Sequence, residues 1–216
     1  MLPLSRRQFL TQGLALTLLP VISQAASAAI QAGKDYQVLG PTPLPGPNVE
    51  VLEVFSYGCP HCAHLAPYIE PWSHKLPASV VFRRIPVTFG HEQWAVLART
   101  YYVLDTLHQA DRLQVKIFQA IHDQNINLFS EDVLFDWLEQ QGVKRDQFIP
   151  LYRSFSIQSK VQQGDQTAMN YGVDGVPTVI IDGRYATSPT QAGSIEALFP
   201  VMNTLIAEEM QLKKKR

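Results

Sequence analysis

The feature that most constrains this chain is its only pair of cysteines, Cys59 and Cys62, which are separated by two residues. A disulfide between them closes a very small ring, and such a ring removes little conformational freedom from the unfolded chain. The pair follows residues 49–56, a β-branched and aromatic run typical of a buried strand, and precedes a helical pattern over residues 63–74. This position at a strand-to-helix junction favours redox chemistry or metal binding over a structural role.

The helix that begins at the pair indicates what a thiol there can do. The start of a helix presents unpaired N–H groups and the positive end of the helix dipole, so a thiolate at Cys59 is stabilised and its pKa is lowered. Pro60 suits the first helical turn, and His61 adds a hydrogen bond or a positive charge. A stabilised thiolate favours the reduced pair, so the pair acts as an oxidant. We expect Cys59 to be the exposed sulfur that substrate thiols attack, and Cys62, facing the core, to be the resolving thiol.

Three other uses of the cysteine pair compete with redox chemistry. Covalent haem attachment requires a histidine directly after the second cysteine, and Ala63 occupies that position, so this use is excluded. A metal site would combine the thiolates of Cys59 and Cys62 with His64, although no second cysteine pair completes a closed set of ligands. An inert structural disulfide is the third alternative, and its small ring contributes little stability.

The order of predicted elements indicates an α/β fold that is interrupted by helices. Residues 80–87 read as a second strand after the cysteine-bearing helix, and residues 91–164 have apolar side chains at helical spacing. Strand-forming residues return at 176–181, where Asp182-Gly183 predicts a two-residue hairpin turn. Residues 195–212 read as a closing helix.

These elements predict one discontinuous domain with an insertion. Residues 35–90 and 165–212 are expected to form a central mixed sheet flanked by helices, with the cysteine pair at the end of the first strand. Residues 91–164 are expected to form an inserted all-helical domain. Hydrophobic residues make up 46% of the chain, which is enough for a substantial core and excludes a disordered protein.

The first 28 residues have the three-part layout of a secretory signal. Arg6 and Arg7 form a basic start, and the apolar run at 11–22 is shorter than a typical membrane span. The arginine pair also resembles a twin-arginine export signal, with an ordinary secretory signal as the alternative. We expect cleavage within residues 25–29 and a mature protein in the periplasm. A retained N-terminal anchor is the competing interpretation.

Two segments of the chain resemble the DsbA-type periplasmic thiol:disulfide oxidoreductases, which have a thioredoxin fold. They are VLEVFSYGCPHC at residues 51–62 and GVPT at residues 175–178, and a helical insert separates them as in that family. The resemblance extends over residues 35–212. It implies a protein that donates its Cys59–Cys62 disulfide to cysteine pairs of newly exported polypeptides. It also implies reoxidation by a quinone-linked membrane partner of the DsbB type, and no bound cofactor.

The same resemblance implies roles for further residues. Pro177 matches the family's cis-proline, which faces the redox disulfide, and the backbone of Val176 beside it pairs with an extended substrate segment. Glu53 matches a buried acid that moves protons to or from Cys62. Arg84 stands where the family often has a lysine partner for that acid; because arginine stays charged, it holds Glu53 ionised and does not donate a proton. The alternatives are an ordinary proline at a strand start and a glutamate at a solvated strand end.

Two other functions remain open at this point. One is a disulfide isomerase or reductase of the same fold, although the short segment before the first strand leaves no room for the dimerisation domain that periplasmic isomerases usually have. The other is a periplasmic metal-binding protein that uses Cys59, Cys62 and His64. The formal net charge of −1 argues against a nucleic-acid partner, and the basic run at 213–216 reads as a solvated tail. We expect a monomer.

Overall fold

The computed structural model describes residues 29–40 and 44–215, which form one mixed β-sheet with helices packed on both faces. The export signal predicted for residues 1–28 lies outside the described residues. The predicted architecture, a central mixed sheet with a long helical insertion, is confirmed. No helix in the described part of the chain is both long and apolar enough to cross a membrane.

The elements alternate between sheet and helices in the predicted order. The strands are β1 (Gln37–Val38), β2 (Val49–Phe55), β3 (Val80–Pro86), β4 (Thr178–Ile181) and β5 (Tyr185–Thr187). The helices are α1 (Pro60–Ser73), α2 (Glu92–Thr106), α3 (Ala110–His122), α4 (Glu131–Gln140), α5 (Arg145–Tyr152), α6 (Phe155–Asn170), α7 (Pro189–Ala192) and α8 (Ile195–Lys214).

The strand that leads to the cysteine pair lies inside the sheet, whose order is β1-β5-β4-β2-β3. β2 pairs in parallel with β3 and antiparallel with β4. In this register Glu53 of β2 lies opposite Arg84 of β3 on one side and Val179 of β4 on the other. Because β2 has a partner on both sides, its end is a rigid starting point for the loop that holds the cysteines.

Burial on both faces explains the nearly continuous apolar run of β2. Val49 and Val51 pack with residues of α1 and α8 on one face, whereas Leu52 and Val54 pack on the other face with residues that include Ala168 of α6. Side chains alternate along a strand, so Glu53 lies on the same face as Val51, toward α1. A carboxylate is therefore placed in the core, on the face that the cysteine-bearing helix covers.

The chain between β3 and β4 forms five helices, α2 to α6, with a core of aromatic and aliphatic side chains. This core continues to the end of β2 through Phe55, whose ring packs edge-on against Tyr101. α6 approaches the sheet closely at Gly164, where an added Cβ would lie 2.7 Å from the Tyr102 hydroxyl and 3.1 Å from the Pro86 carbonyl oxygen. The insertion therefore packs directly against the strands that hold the cysteine loop.

The structure refines several sequence-based expectations. Asp182 and Gly183 both have positive φ and lie in the predicted hairpin turn, but the loop between the paired residues Ile181 and Tyr185 has three residues, 182–184, rather than the predicted two. β4 begins at Thr178, two residues later than predicted. α6 continues through residue 164 to Asn170, so the predicted boundary of the helical domain falls within a helix, and that boundary stays a prediction. β1 and α7 were not predicted because elements of two and four residues show no periodicity.

The basic run at the chain end is only partly a solvated tail. The prediction of a solvated tail is wrong for Lys213. Its ammonium is 3.0 Å from a carboxylate oxygen of Asp182 and donates to the carbonyls of Leu44 and Gly46. Only 5% of the Lys213 side chain is exposed. Because the hairpin turn and the segment before β2 bring these acceptors to the end of α8, the lysine is held by long-range contacts that the sequence run does not reveal.

Candidate active site

The cysteine pair lies where β2 ends and α1 begins. The chain first makes a β-turn, in which the N–H of Cys59 donates to the carbonyl of Ser56 at 3.1 Å. Cys59 is the N-cap of α1, and Pro60 occupies the first helical position, where its missing N–H leaves no helical bond unmade. His61 follows on the exposed side of the helix, and Cys62 faces inward. The helix therefore starts directly at the Cys59 residue.

The two sulfurs have different surroundings. Both cysteines are free thiols; Cys62 is fully buried, and 6% of Cys59 is exposed. The prediction of an exposed Cys59 is therefore wrong: Cys59 is nearly buried, although it is still the more exposed of the two cysteines. The loop before β4 covers this sulfur, and the protonated form of the Cys59 thiol donates to the carbonyl of Val176 at 3.3 Å. A substrate thiol must reach Cys59 through the small part of the residue that stays open.

These surroundings shift the two thiol pKa values in opposite directions. The pKa of Cys59 is lowered to about 6, chiefly by a hydrogen bond with the Cys62 thiol; backbone N–H groups of Cys62 and His61 add to this, and the charge of His61 adds least. Burial raises the pKa of Cys62 well above its usual range. Near neutral pH, Cys59 is thus a thiolate and Cys62 keeps its proton. The sequence indicates the helix start and His61 as causes, but it does not reveal the Cys62 thiol as the largest one.

The loop before β4 and the start of α1 form a cleft beside the cysteine pair. The Val176–Pro177 peptide bond is cis, as the family resemblance implies. The cleft has a volume of about 320 Å³, and His61 and His64 of α1 line it opposite Val176 and Pro177. The backbone of Val176 therefore lies beside both Cys59 and an open groove, where an extended peptide has room to bind.

A buried group of charges, here called the Arg84 cluster (Glu53, Glu70 and Arg84), lies on the core side of the pair. Arg84 donates from Nε to Glu53 at 2.8 Å, and its Nη2 is 2.7 Å from a carboxylate oxygen of Glu70. Its Nη1 is 3.6 Å from the exposed carboxylate of Asp111. Burial raises the pKa of Glu53 and of Glu70, and Arg84 opposes both shifts. The charge of Glu53 in turn contributes to the raised pKa of Cys62, so this carboxyl and the buried thiol interact.

Two residues that contribute to the site are not identified by the sequence reasoning. Glu70 lies eight positions after Cys62, so the helical period places both on the inner face of α1, and that spacing is a signal available in the sequence. His122, at the end of α3, has its Nε2 2.8 Å from the carbonyl oxygen of Tyr57 in the turn before Cys59. No local pattern marks His122, because the contact joins the insertion to the cysteine loop.

The structure does not bring His64 together with Cys59 and Cys62 as the metal alternative requires. Within residues 29–40 and 44–215, no three His, Cys, Asp or Glu side chains are arranged as metal ligands. His64 lies on the exposed side of α1, with its ring centroid 6.5 Å from that of His61, whereas Cys62 faces the core. The geometry of the pair instead fits thiol–disulfide exchange, which needs one accessible low-pKa sulfur and one sheltered sulfur.

Comparison with known proteins identifies the family. The family model described as a DSBA-like thioredoxin domain matches residues 69–194. The thiol:disulfide interchange protein DsbA of Burkholderia cepacia is 37% identical over 204 residues, which cover 93% of this chain and 95% of that relative. This chain belongs to the DsbA family.

Other DsbA proteins agree in sequence and in fold. DsbA of Pseudomonas aeruginosa is 36% identical over 186 residues, or 85% of this chain and 88% of that protein. Its crystal structure superposes with a TM-score of 0.79 and covers 86% of this chain and 97% of that one. The oxidoreductase DsbA of Xylella fastidiosa, 28% identical, gives a TM-score of 0.75 over 83% of this chain and 97% of its own. The protein is thus a thiol:disulfide oxidoreductase with a thioredoxin fold, and the predicted disulfide-donor function is confirmed.

Proposed function

We propose that the protein oxidises cysteine pairs of newly exported polypeptides, with Cys59 as the attacked sulfur and Cys62 as the resolving one. The main support is the contrast between the two thiols: the pKa of Cys59 is lowered to about 6, and burial raises the pKa of Cys62. The Cys59 thiolate exists only in the reduced protein. Its stabilisation therefore favours the reduced pair and makes the disulfide an oxidant.

The proposed reaction consists of two thiol–disulfide exchanges. A substrate thiolate attacks Sγ of Cys59, the Cys59–Cys62 bond breaks, and Cys62 leaves with the electron pair and takes up a proton. A second substrate thiolate then attacks the substrate sulfur of the mixed disulfide, and Cys59 leaves as a thiolate. The substrate loses two electrons and gains a disulfide, while the protein retains two reduced cysteines. The low pKa of Cys59 makes it a good leaving group in the second exchange.

Neighbouring residues assist both exchanges in this proposal. In the oxidised protein Cys59 has no thiol proton to donate, so the Val176 carbonyl is free to accept an N–H from an extended substrate segment. Pro177 and Pro60 fix the two backbones that face each other at the pair. Burial raises the pKa of Glu53 despite the charge of Arg84, so Glu53 can carry the proton that Cys62 takes up, and Arg84 orients this carboxyl.

We further propose that the protein works in the periplasm, because the sequence of residues 1–28 has the layout of an export signal. Each turnover leaves the cysteine pair reduced, so a second partner must accept two electrons from it. A membrane reoxidase of the DsbB type, linked to quinones, has the required chemistry. The disulfide itself accepts both electrons from the substrate, so no bound cofactor is needed and a monomer is sufficient.

Substitution of each cysteine tests the assignment of the two sulfurs. Cys59→Ser should abolish oxidation of a reduced substrate protein, whereas Cys62→Ser should accumulate mixed disulfides that non-reducing electrophoresis separates. If the two variants behave alike, the division of roles is wrong. Zinc or copper that co-purifies in a one-to-one ratio would support the metal-binding alternative instead.

The direction of the reaction is tested by comparing urea unfolding of the reduced and oxidised proteins. The folded pKa of Cys59 is about 6, lower than the value of about 8.5 for a free cysteine, so thiolate stabilisation is fully present above the unfolded pKa and is lost as the pH falls through the folded one. We expect the reduced form to be the more stable at neutral pH, and its advantage to shrink toward about pH 5. A more stable oxidised form at neutral pH would refute the oxidant assignment.

His61→Ser tests the charge of His61, which is the smallest of the named contributions that stabilise the Cys59 thiolate. The Cys62 thiol and two backbone N–H groups remain, so the pKa of Cys59 should rise but stay below that of a free cysteine. The reduction potential of the cysteine pair depends on how strongly the reduced form is stabilised, and a change of about 30 mV corresponds to about 1.4 kcal/mol for two electrons. The reduction potential of His61→Ser should therefore fall by a few tens of millivolts at most. Equilibration with glutathione measures it, and a more oxidising variant would contradict the expectation.

A further inference from the structure

A histidine of the insertion holds the turn that ends in Cys59, and the mechanism described above does not use it. His122 is the last residue of α3, and its Nε2 lies 2.8 Å from the carbonyl oxygen of Tyr57. A carbonyl oxygen only accepts hydrogen bonds, so His122 must have a proton on Nε2. The ring is half-buried and stacks on Phe118 with an interplanar angle of 30°. The contact is therefore an oriented N–H···O=C bond from the insertion to the redox loop.

The carbonyl that His122 contacts belongs to the central peptide of the turn. The bond from the N–H of Cys59 to the carbonyl of Ser56 closes the turn, and the peptide between Tyr57 and Gly58 takes no part in it. The orientation of this central peptide distinguishes type I from type II turns, and a type II turn needs a positive φ at its third residue. Gly58 is outside that region here, although a glycine can enter it freely. The backbone of Gly58 therefore does not by itself prevent the peptide from flipping.

Side chains within and outside the turn fix the central peptide instead. The N–H of Gly58 donates to the Ser56 hydroxyl at 3.2 Å, and the carbonyl of Tyr57 accepts from His122, so both polar groups of the peptide are bonded. Trp94 of α2 packs against Gly58 so closely that an added Cβ would lie 2.5 Å from its Nε1. The buried Tyr57 hydroxyl donates to Gln114 of α3. α3 thus holds Tyr57 by its side chain and by its carbonyl.

We propose that His122 is a positioning residue of the oxidoreductase: its Nε2–H fixes the central peptide of the turn and thereby holds Cys59 at the start of α1. This inference deepens the proposed function and rests on it. His122 acts through the backbone of Tyr57. The backbone N–H groups of His61 and Cys62 help to lower the pKa of Cys59, so a turn that moves Cys59 away from the start of α1 weakens this stabilisation.

The test compares three variants of the reduced, full mature protein. His122→Leu removes the donor and should raise the pKa of Cys59 by about 0.5 to 1 unit, a threefold to tenfold loss of thiolate below the pKa. His122→Gln keeps an N–H donor on a side chain of similar reach and should restore most of the wild-type value. Gln119→Leu is the matched control, because Gln119 lies one helical turn earlier on α3 and lines, together with His122, a second cleft between α3 and α1. Ultraviolet absorbance of the thiolate during a pH titration measures all three.

The outcomes separate positioning from a merely structural role. A lower melting temperature of His122→Leu with an unchanged Cys59 pKa would overturn the inference, and so would His122→Gln behaving like His122→Leu. If His122→Leu does not fold, nitrogen-15 NMR of the wild type decides, since a neutral His122 protonated on Nδ1 cannot donate to Tyr57. None of these readouts needs a substrate. A wild type without oxidase activity would therefore refute the proposed function while the His122 measurements still stand.

Discussion

Two buried groups of charged side chains lie near opposite ends of β2, and they differ in their balance. The Arg84 cluster has two carboxylates, Glu53 and Glu70, around one guanidinium. The second group, here called the Lys213 cluster, has two acids and two bases near the start of β2. In it Lys213 pairs with Asp182 at 3.0 Å and Arg184 pairs with Glu209 at 2.6 Å.

Comparison of the two clusters shows which property distinguishes the charged groups beside the cysteine pair from those elsewhere in the core. Burial raises the pKa of carboxyls in both clusters, at Glu53 and Glu70 in one and at Glu209 in the other, so a raised pKa alone does not distinguish them. The balance of permanent charges does distinguish them, because in the Arg84 cluster two carboxylates share one guanidinium and the only further base is the titratable His74, 3.6 Å from Glu70. A carboxylate in this cluster gains by taking up a proton, and Glu53 also interacts with the buried thiol of Cys62.

The largest expected effect is that of Arg84→Met on stability. The variant leaves Glu53 and Glu70 buried without their cation, which should cost about 3–5 kcal/mol at neutral pH. Without the cation the folded pKa values rise further above the unfolded ones, so the penalty appears as the pH rises through this range and shrinks toward about pH 4.5. Urea melts at several pH values measure this. If Arg84→Met lost the same amount of stability at every pH, the loss would not come from uncompensated negative charge on Glu53 and Glu70.

Lys213→Met should have a smaller effect, about 3 kcal/mol, because one buried carboxylate rather than two loses its cation. Asp182 also keeps the bond from the N–H of Glu50 at 3.3 Å. The pKa of Cys59 should not change. As a control, Lys213→Met combined with Asp182→Asn should recover part of the stability, since asparagine tolerates the φ of 50° at this position. If Lys213→Met also changed the rate of dithiol oxidation, the conclusion that only the Arg84 cluster serves the cysteine pair would be wrong.

Glu53→Gln should have the smallest effect on stability, about 1 kcal/mol, because Arg84 keeps Glu70 and can still donate to the amide oxygen. Its effect lies in proton transfer: glutamine cannot exchange a proton with Cys62. We expect a flatter pH profile and a rate of mixed-disulfide formation with a substrate thiol that is at least about tenfold lower. Single-turnover kinetics measure this. Glu209→Gln, the buried acid of the Lys213 cluster, is the matched control, and equal profiles for both variants would contradict the proton-transfer role of Glu53.

The sequence predicts the parts of the site that are encoded locally or by one recognisable motif. Cys59 and Cys62 follow from a strand pattern, a helix pattern and the Cys-Pro-His-Cys motif between them. Alternation along β2 places Glu53 in the core, and the family resemblance points to Arg84 as its neighbour on the next strand, a pairing that the structure contains.

The remaining contacts depend on packing between distant segments. His122 meets Tyr57 across 65 positions, and Lys213 meets Leu44 across 169 positions. No periodicity connects such residues, because their proximity depends on how α3 and α8 dock on the finished sheet. For the same reason the cover that Val176 places over Cys59 makes this sulfur less exposed than its position at a helix start suggests.

The pairing of β2 with β4 across the insertion joins segments that lie far apart along the chain. β2, α1 and β3 are contiguous and close short loops, whereas Val176 is 117 positions from the Cys59 thiol that it covers. As the chain emerges from its N-terminus, both cysteines arrive before α3 and well before β4. The cover over Cys59 therefore forms only when β4 joins the sheet. Until then, a chain that is still emerging has both cysteines without this cover.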